Sequence, residues 1–390
     1  MSEPRLYLDY NATAPLRPAA RAAMLAALDE VGNASSVHAE GRAARQRIEI
    51  ARGAVARLVG GEARRVTFTA GGTEANVTVL TPDWTFAGRP YRADVLLVSA
   101  VEHASVLAGG RFPAEALCIV PVDENGLVRI DALRHMLGEL AAAERRALVS
   151  VMLANNETGV IQPVAEIARL AHEAGAIVHA DAVQAAGRIP LDIAALGVDV
   201  LTLSAHKIGG PQGVGAIVLA HDDIGFAPLL VGGGQEKRLR AGTENVAGIA
   251  GFGAASVAAL ADLDAAARWT GWRDALADTI CRTATGAVVF GAGAARLPQT
   301  LCIGLPGLSA ETLVIALDLA GVAVSSGSAC SSGKVAPSHV LAAMGVRPDM
   351  AKSAIRLSLG WQSAERSLDL FANRWLRMLG HVAPGHIRAA

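Results

Sequence analysis

Lysine is nearly missing from this chain. Among 35 basic residues in 390 positions only four are lysines, Lys207, Lys237, Lys334 and Lys352, which leaves 31 arginines. Chemistry that needs a primary amine therefore has four places to sit. Charge of one sign is also absent, since 36 acidic residues bring the formal net charge to −1, and this excludes a general electrostatic grip on nucleic acid or anionic lipid. Cysteine occurs four times, at Cys118, Cys281, Cys302 and Cys330, with no CxxC spacing, so neither a zinc site nor a disulfide framework is suggested. The longest apolar run, residues 246–261, contains Ser256 and ends at Asp262. It falls short of the roughly 20 residues a membrane span needs and reads as a buried helix. The opening MSEPRLYLDYNATAP lacks the basic and apolar regions of a secretory signal. Neither a Walker A loop nor GxGxxG occurs where a glycine-rich turn does, which argues against nucleotide and NAD use. A soluble, cytoplasmic chain is expected.

What is present is a large apolar fraction, 52% against 18% charged, which excludes a disordered or fibrous chain. The length suits two or three domains of about 150 residues. From about residue 65 to 220, short apolar runs alternate with helical stretches such as 163–175. The expected strands are 66–70 (VTFTA), 94–99 (DVLLVS), 147–153 (ALVSVML), 176–180 (AIVHA) and 199–204 (DVLTLS). Nearly continuous apolar runs suit strands covered on both faces, and the alternation predicts an α/β fold with a mostly parallel sheet. After a long helical stretch over 246–285 the rhythm changes. Strands at 300–304, 322–325 and 354–359 alternate with helices, as in a smaller α+β domain. The expected boundaries are 15–258 for the large domain, with 1–14 and 259–390 forming the small one.

In parallel α/β sheets ligands bind beyond the carboxyl ends of the strands. Here each expected strand is followed by polar or glycine residues: Gly71, Gly72, Thr73 and Glu74; Glu102 and His103; Asn155, Asn156 and Glu157; Asp181 and Gln184; Ser204, His206 and Lys207. Gly71-Gly72-Thr73 between strand and helix suits an anion, because glycine admits close approach and a helix start offers free N–H groups; a tight turn with a capping Thr73 is the plainer alternative. Lys207 follows an apolar strand and precedes Ile208-Gly209-Gly210. That suits a Schiff-base lysine whose amine is kept neutral by burial or a nearby cation, or a lysine closing a strand end. Asp181 needs a partner if buried. The pyridinium nitrogen of pyridoxal phosphate would serve, as would a helix cap or an internal salt bridge. His103 could stack on an aromatic cofactor or relay a proton. Cys118 and Cys302 sit in apolar runs as packing, whereas Cys330 sits in SSGSACSSGK, where a thiol is reachable.

Together these segments resemble the cysteine desulfurases, pyridoxal-phosphate enzymes of aminotransferase class V and fold type I. The resemblance runs nearly end to end: LDYNATAPL near the start, GNASSVH at 32–38, FTAGGTEAN at 68–76, EHASV at 102–106 and ANNETGVIQP at 154–163. It continues through HADAVQAAG at 179–187, SAHKIGGPQGVG at 204–215, RAGTENV at 240–246, SSGSACSSG at 325–333 and SAIRLSLG at 353–360. The SSGSAC segment resembles the group serving nitrogenase and general iron–sulfur assembly. The chain departs from the family's usual form at Gly72, where alanine is frequent, and at Ala34, where proline is.

The resemblance implies roles residue by residue. Lys207 would carry the cofactor, Asp181 would pair with its ring nitrogen, and His103 would stack on the ring and move protons. Gly72, Thr73, Ser204 and His206 would hold the phosphate, with Thr243 reaching in from the other subunit of a homodimer. Asn155 and Gln184 would bond the ring oxygen, Arg356 would hold the substrate carboxylate, and Asn33 and Asn155 would lie near the substrate. The implied reaction turns L-cysteine into L-alanine, with the sulfur kept as a persulfide on Cys330 and passed to an acceptor protein such as an iron–sulfur scaffold. A transient iron–sulfur ligand role for Cys330 stays open, as do another class V chemistry (aminotransfer or selenocysteine lysis) and a catalytically silent scaffold. Neither nucleic acid nor membrane is implied as a partner.

Overall fold

The computed structural model describes residues 5–327 and 338–387. Its centre is a seven-stranded sheet of β1 (Val66–Thr69), β2 (Val95–Ser99), β3 (Leu117–Val120), β4 (Ala147–Ser150), β5 (Ile177–Asp181), β6 (Val200–Ser204) and β7 (Gly215–Leu219), in the spatial order β1-β7-β6-β5-β4-β2-β3. Every residue of all these strands except β3 is buried, which is why their sequences lack alternation. β3 lies at the edge and leaves Ile119 47% exposed.

β7 runs antiparallel to both neighbours, while the remaining pairs are parallel. The sequence reading did not include this strand. Its direction follows from distance along the chain: residues 205–214 are too few for the crossover of about a dozen residues that a parallel return requires. A small sheet of Asp83–Phe86, Arg89–Arg92 and Ile224–Phe226 was also unforeseen, because its strands are short and only Trp84, Ile224 and Phe226 are buried.

A second sheet contains β8 (Val288–Val289), β9 (Thr300–Gly304), β10 (Ser325–Ser326) and β11 (Ala354–Ser358), all antiparallel, in the order β8-β9-β11-β10. The strand expected over 322–325 is in fact two. Val322–Ala323 pairs in parallel with Leu6–Tyr7, and after Val324 the chain changes partner to β11.

The long helical stretch also divides. The helices α1 (Pro18–Leu28), α2 (Ala39–Leu58) and α3 (Gly72–Val79) precede α4 (Val246–Ala261) and α5 (Leu263–Thr283), and the last two meet at 68°. At the bend Asp262 accepts a 2.6 Å hydrogen bond from Arg17 Nη1. α4 packs against α1 and α2 with backbone-close contacts; a Cβ on Gly253 would lie 2.6 Å from Ala51 Cα. Among the described residues no single helix is long and apolar enough to cross a membrane. The largest core surrounds the central sheet, and a second gathers Leu6, Leu8, Trp269, Leu317, Ile355 and Trp375.

Candidate active site

The carboxyl ends of β1, β5 and β6 and the residues after β2 open onto one cavity of about 320 Å³. Gly72, Thr73, His103, Asp181, Gln184, Ser204, His206, Lys207 and Arg356 all line it. Asn33 and Thr243 are exposed and lie elsewhere. Asn155 is 1% exposed and does not reach the wall. Its Oδ1 accepts from the N–H groups of Glu157 and Thr158, each at 2.9 Å, and its Nδ2 donates to Val101 O, so it closes the turn that presents Asn156 to the cavity. Cys330 lies outside the described residues.

At one end of the cavity α3 begins at Gly72. A Cβ there would stand 3.2 Å from Val183 Cγ2 and 3.3 Å from Ser204 Cβ. A Cβ on Gly215 of β7 would meet the Gly71 carbonyl carbon at 2.5 Å. Strand and turn are therefore in backbone contact, and the first N–H groups of α3, with the hydroxyls of Thr73 and Ser204, form a cradle for an anion. A recess beside it shares Gly72, Thr73, Ser204 and His206 and adds Gln212 and Gly213.

Asp181 ends β5 with its carboxylate buried at 6% exposure. Its Oδ1 accepts from Val183 N–H at 2.9 Å and its Oδ2 from Asn76 Nδ2 at 2.8 Å. The second partner fixes a longer chain. With Nδ2 held by Asp181, Asn76 Oδ1 must accept, and Thr202 Oγ1 donates to it at 2.6 Å. The lone pairs of Thr202 Oγ1 then face His179 Nε2 at 2.9 Å, so that nitrogen carries the proton and Nδ1 accepts from Ser150 Oγ at 2.8 Å. Burial pushes His179 down to about 4, so it is neutral over the physiological range. Asn76 Nδ2 also donates to Ser105 Oγ at 3.0 Å.

That serine leads to His103. Ser105 N–H donates to His103 Nδ1 at 3.1 Å, and Ser105 Oγ lies 2.8 Å from the same nitrogen. A backbone N–H only donates, so Nδ1 is bare and the neutral ring carries its proton on Nε2. Burial holds His103 below its ordinary pKa; the Asp181 carboxylate opposes this, and Lys207 and His339 reinforce it. His206 is pushed down to about 4 by burial, with Lys207 and Arg188 adding to the effect.

Lys207 stands in the single turn after β6. Its Nζ donates to the main-chain oxygens of Asn11 at 2.7 Å and Ala12 at 2.8 Å. Asn11 also accepts from Gln184 Nε2 through its main-chain oxygen at 3.0 Å and from Arg188 Nη1 through Oδ1 at 2.8 Å. Gln184 Oε1 takes a further hydrogen bond from Arg188. The Gln184 amide is thus oriented, and its nitrogen is the group left to meet a ligand.

Arg356, on β11, is 1% exposed. Its Nη2 donates to Asp9 Oδ1 at 2.8 Å and its Nη1 to Asn156 O at 3.0 Å. Nε is buried with no partner among the described residues. Sequence reasoning missed Asn11, Asn76, Ser105 and Arg188. Asn76 had a usable signal, lying one helical turn beyond Gly72 on the same face.

The family model for class-V aminotransferases matches residues 6–371. A cysteine desulfurase of Cereibacter sphaeroides is 45% identical over 367 residues, covering 92% of each chain. An IscS-like cysteine desulfurase of Mycobacterium tuberculosis is 40% identical, covering 93% of each. Among solved structures, a NifS-like protein from Rickettsia africae superimposes with a TM-score of 0.83 at 34% identity, over 96% of this chain and 99% of the other. With the lysine, the carboxylate and the anion cradle all on one cavity, the chain belongs to the class-V aminotransferase family, among its cysteine desulfurases.

Proposed function

We propose that this protein converts L-cysteine to L-alanine, holding the sulfur on Cys330 and passing it to an acceptor, with pyridoxal phosphate in the cavity. The residues present fit that cofactor. The α3 cradle suits a phosphate, and Asp181 keeps acceptor capacity beyond its two hydrogen bonds for a cationic ring nitrogen. Gln184 has an amide nitrogen for a ring oxygen, and among the described residues Lys207 supplies the only lysine amine on the wall. When bound, the cofactor takes up the electrons released as the substrate's Cα–H bond breaks.

The chain's own groups do the rest. Arg356, pre-oriented by Asp9 and Asn156, offers its guanidinium on the cavity wall to the substrate carboxylate. Lys207, at the mouth of β6, takes the Cα proton. His103 presents Nε2–H to the cavity and moves protons there. The thiolate of Cys330 then attacks the substrate sulfur. The Sγ–S bond forms, the Cβ–S bond breaks with its electrons left on carbon, and the proton formerly on the substrate thiol completes the alanine methyl group. No oxidant is needed. An ordinary cysteine is only a few per cent thiolate at neutral pH, so the site must favour ionisation of Cys330.

Thr243 is exposed and away from this chain's cavity, as a residue serving a second copy would be. Leu25, Leu28, Ile50 and Val257 form an exposed apolar set on the packed helices α1, α2 and α4. Both support a homodimer. An iron–sulfur scaffold is the acceptor that the resemblance favours.

The observation that carries this function is the convergence of Lys207, Asp181, His103 and Arg356 on one cavity. The experiment is an alanine-plus-sulfide assay with L-cysteine under reducing conditions, wild type beside Cys330→Ala. Wild type should release both products in equal amounts. Cys330→Ala should keep the colour of the bound cofactor and lose sulfur transfer; full transfer by that variant would exclude the mechanism.

A further inference from the structure

Arg188 lies behind the cavity wall at 6% exposure, and no carboxylate among the described residues pairs with it. Its guanidinium donates only to neutral oxygens: Asn11 Oδ1 at 2.8 Å, Gln184 O at 3.2 Å, Gln184 Oε1, Tyr10 O at 3.2 Å and Lys207 O at 3.2 Å. Two other enclosed guanidiniums do meet acids: Arg52 is gripped by Glu236 and Arg356 by Asp9. A buried cation without a counter-charge breaks a strong rule of protein interiors, and sites that break such rules without compensation tend to be functional ones.

The position suggests what the charge acts on. Lys207 Nζ sits on the main-chain oxygen of Asn11 at 2.7 Å, while Arg188 Nη1 sits on that residue's Oδ1 at 2.8 Å. Two cations share one asparagine in a dry setting, where their repulsion is weakly screened. Among the described residues, the other charged or titratable groups on the cavity wall are Arg356, His206, His103 and Asp181, of which Asp181 alone is a carboxylate, and Asp9 behind them is engaged by Arg356. We propose that Arg188 is a positioning residue for the reaction, a built-in counter-cation that drives the Lys207 amine toward its neutral, nucleophilic form. This rests on Lys207 being the reactive amine.

The test uses the full chain freed of cofactor. Competitive acetylation with acetic anhydride is followed by mass spectrometry at each lysine from neutral to alkaline pH, and exposed Lys237 and Lys352 serve as internal references. Arg188→Met should raise the midpoint for Lys207 by about one unit, so that about tenfold less neutral amine is present at pH 7. Gln184→Glu places a carboxylate against the guanidinium and should raise it similarly. Arg188→Lys, which keeps the charge, should stay close to wild type. Should Arg188→Met fail to fold, Gln184→Glu against Arg188→Lys decides the matter. A Lys207 midpoint unmoved by charge removal or compensation would make Arg188 a packing residue and overturn the proposal. Because no cofactor is present, that failure is distinct from failure of Lys207 to carry one.

Discussion

Asn76 Nδ2 donates to Asp181 Oδ2 at 2.8 Å, and the same nitrogen bonds Ser105 Oγ at 3.0 Å. One amide on α3 therefore joins the carboxylate at the end of β5 to the serine that holds His103. Removing it leaves Asp181 with Val183 N–H alone and frees the hydroxyl beside His103 Nδ1. We expect Asn76→Ala to weaken retention of pyridoxal phosphate by about tenfold, the effect of one lost hydrogen bond to a charged group. Equilibrium titration of the visible absorption measures this. Unchanged affinity would mean that Asp181 is held without Asn76.

The buried acids set a pH dependence of stability. Burial pushes Glu102 up to about 8 and Glu157 up to about 7, although Ser99 and Met152 N–H bond the first and Ser338 the second. Glu102 Oε2 has no partner among the described residues. A carboxyl raised in the folded state stabilises fully below its unfolded pKa of about 4.5 and loses that contribution as pH rises through the folded value. His179 and His206, both down to about 4, act oppositely: their contribution is present above about 6.5 and is lost as pH falls toward 4. Cofactor-free protein should therefore lose stability from pH 6.5 to 8, on the order of a few kcal/mol. Glu102→Gln should flatten that limb. Urea unfolding across this window decides it, and parallel curves for the two proteins would show Glu102 to be ionised in the fold.

Arg52 and Glu236 form an ion pair with both partners almost fully enclosed, at 2.6 and 2.8 Å, and Glu236 Oε2 also accepts from Phe68 N–H at 2.9 Å. The pair ties α2 to β1 and the segment after β7. Deleting one partner strands the other charge, so Glu236→Ala should cost about 3–5 kcal/mol in chemical denaturation. A loss below about 1 kcal/mol would show that water reaches Arg52.

Arg356 presents a fixed fork. Arg356→Lys keeps the charge but cannot bond Asp9, Asn156 and a carboxylate in one plane. KM for L-cysteine should rise about 10- to 100-fold, the range for hydrogen bonds to charged groups, with a smaller change in kcat. An unaltered KM would remove Arg356 from substrate binding.

The sequence and the structure agree best where one force dominates. β1, β2, β4, β5 and β6 are buried on both faces, so apolar runs marked each within a residue or two at the start; ALVSVML overran because Val151–Leu153 stays buried after the pairing of β4 ends. β7 has an equally apolar sequence, GAIVL, and was missed because it follows the glycine-rich segment read as part of the site. At the bend Asp262 meets Arg17, 245 positions away, a contact that no local pattern reveals. In the site, residues at strand ends were legible because topology alone brings strand ends together. Asn11 and Arg188 were not, since their roles come from contacts with Gln184 and Lys207 that only the fold creates. Asn155 shows the reverse: its place in a motif pointed to a ligand, whereas its amide oxygen is taken up by its own turn and its amide nitrogen by Val101 O.

In the proposed function the amine of Lys207 holds the cofactor at the mouth of β6. Borohydride reduction of the loaded enzyme, followed by peptide mapping, tests it most directly. A pyridoxyl label is expected on Lys207 and on none of Lys237, Lys334 or Lys352. A label on another lysine, or no label on a protein that binds the cofactor, would contradict it.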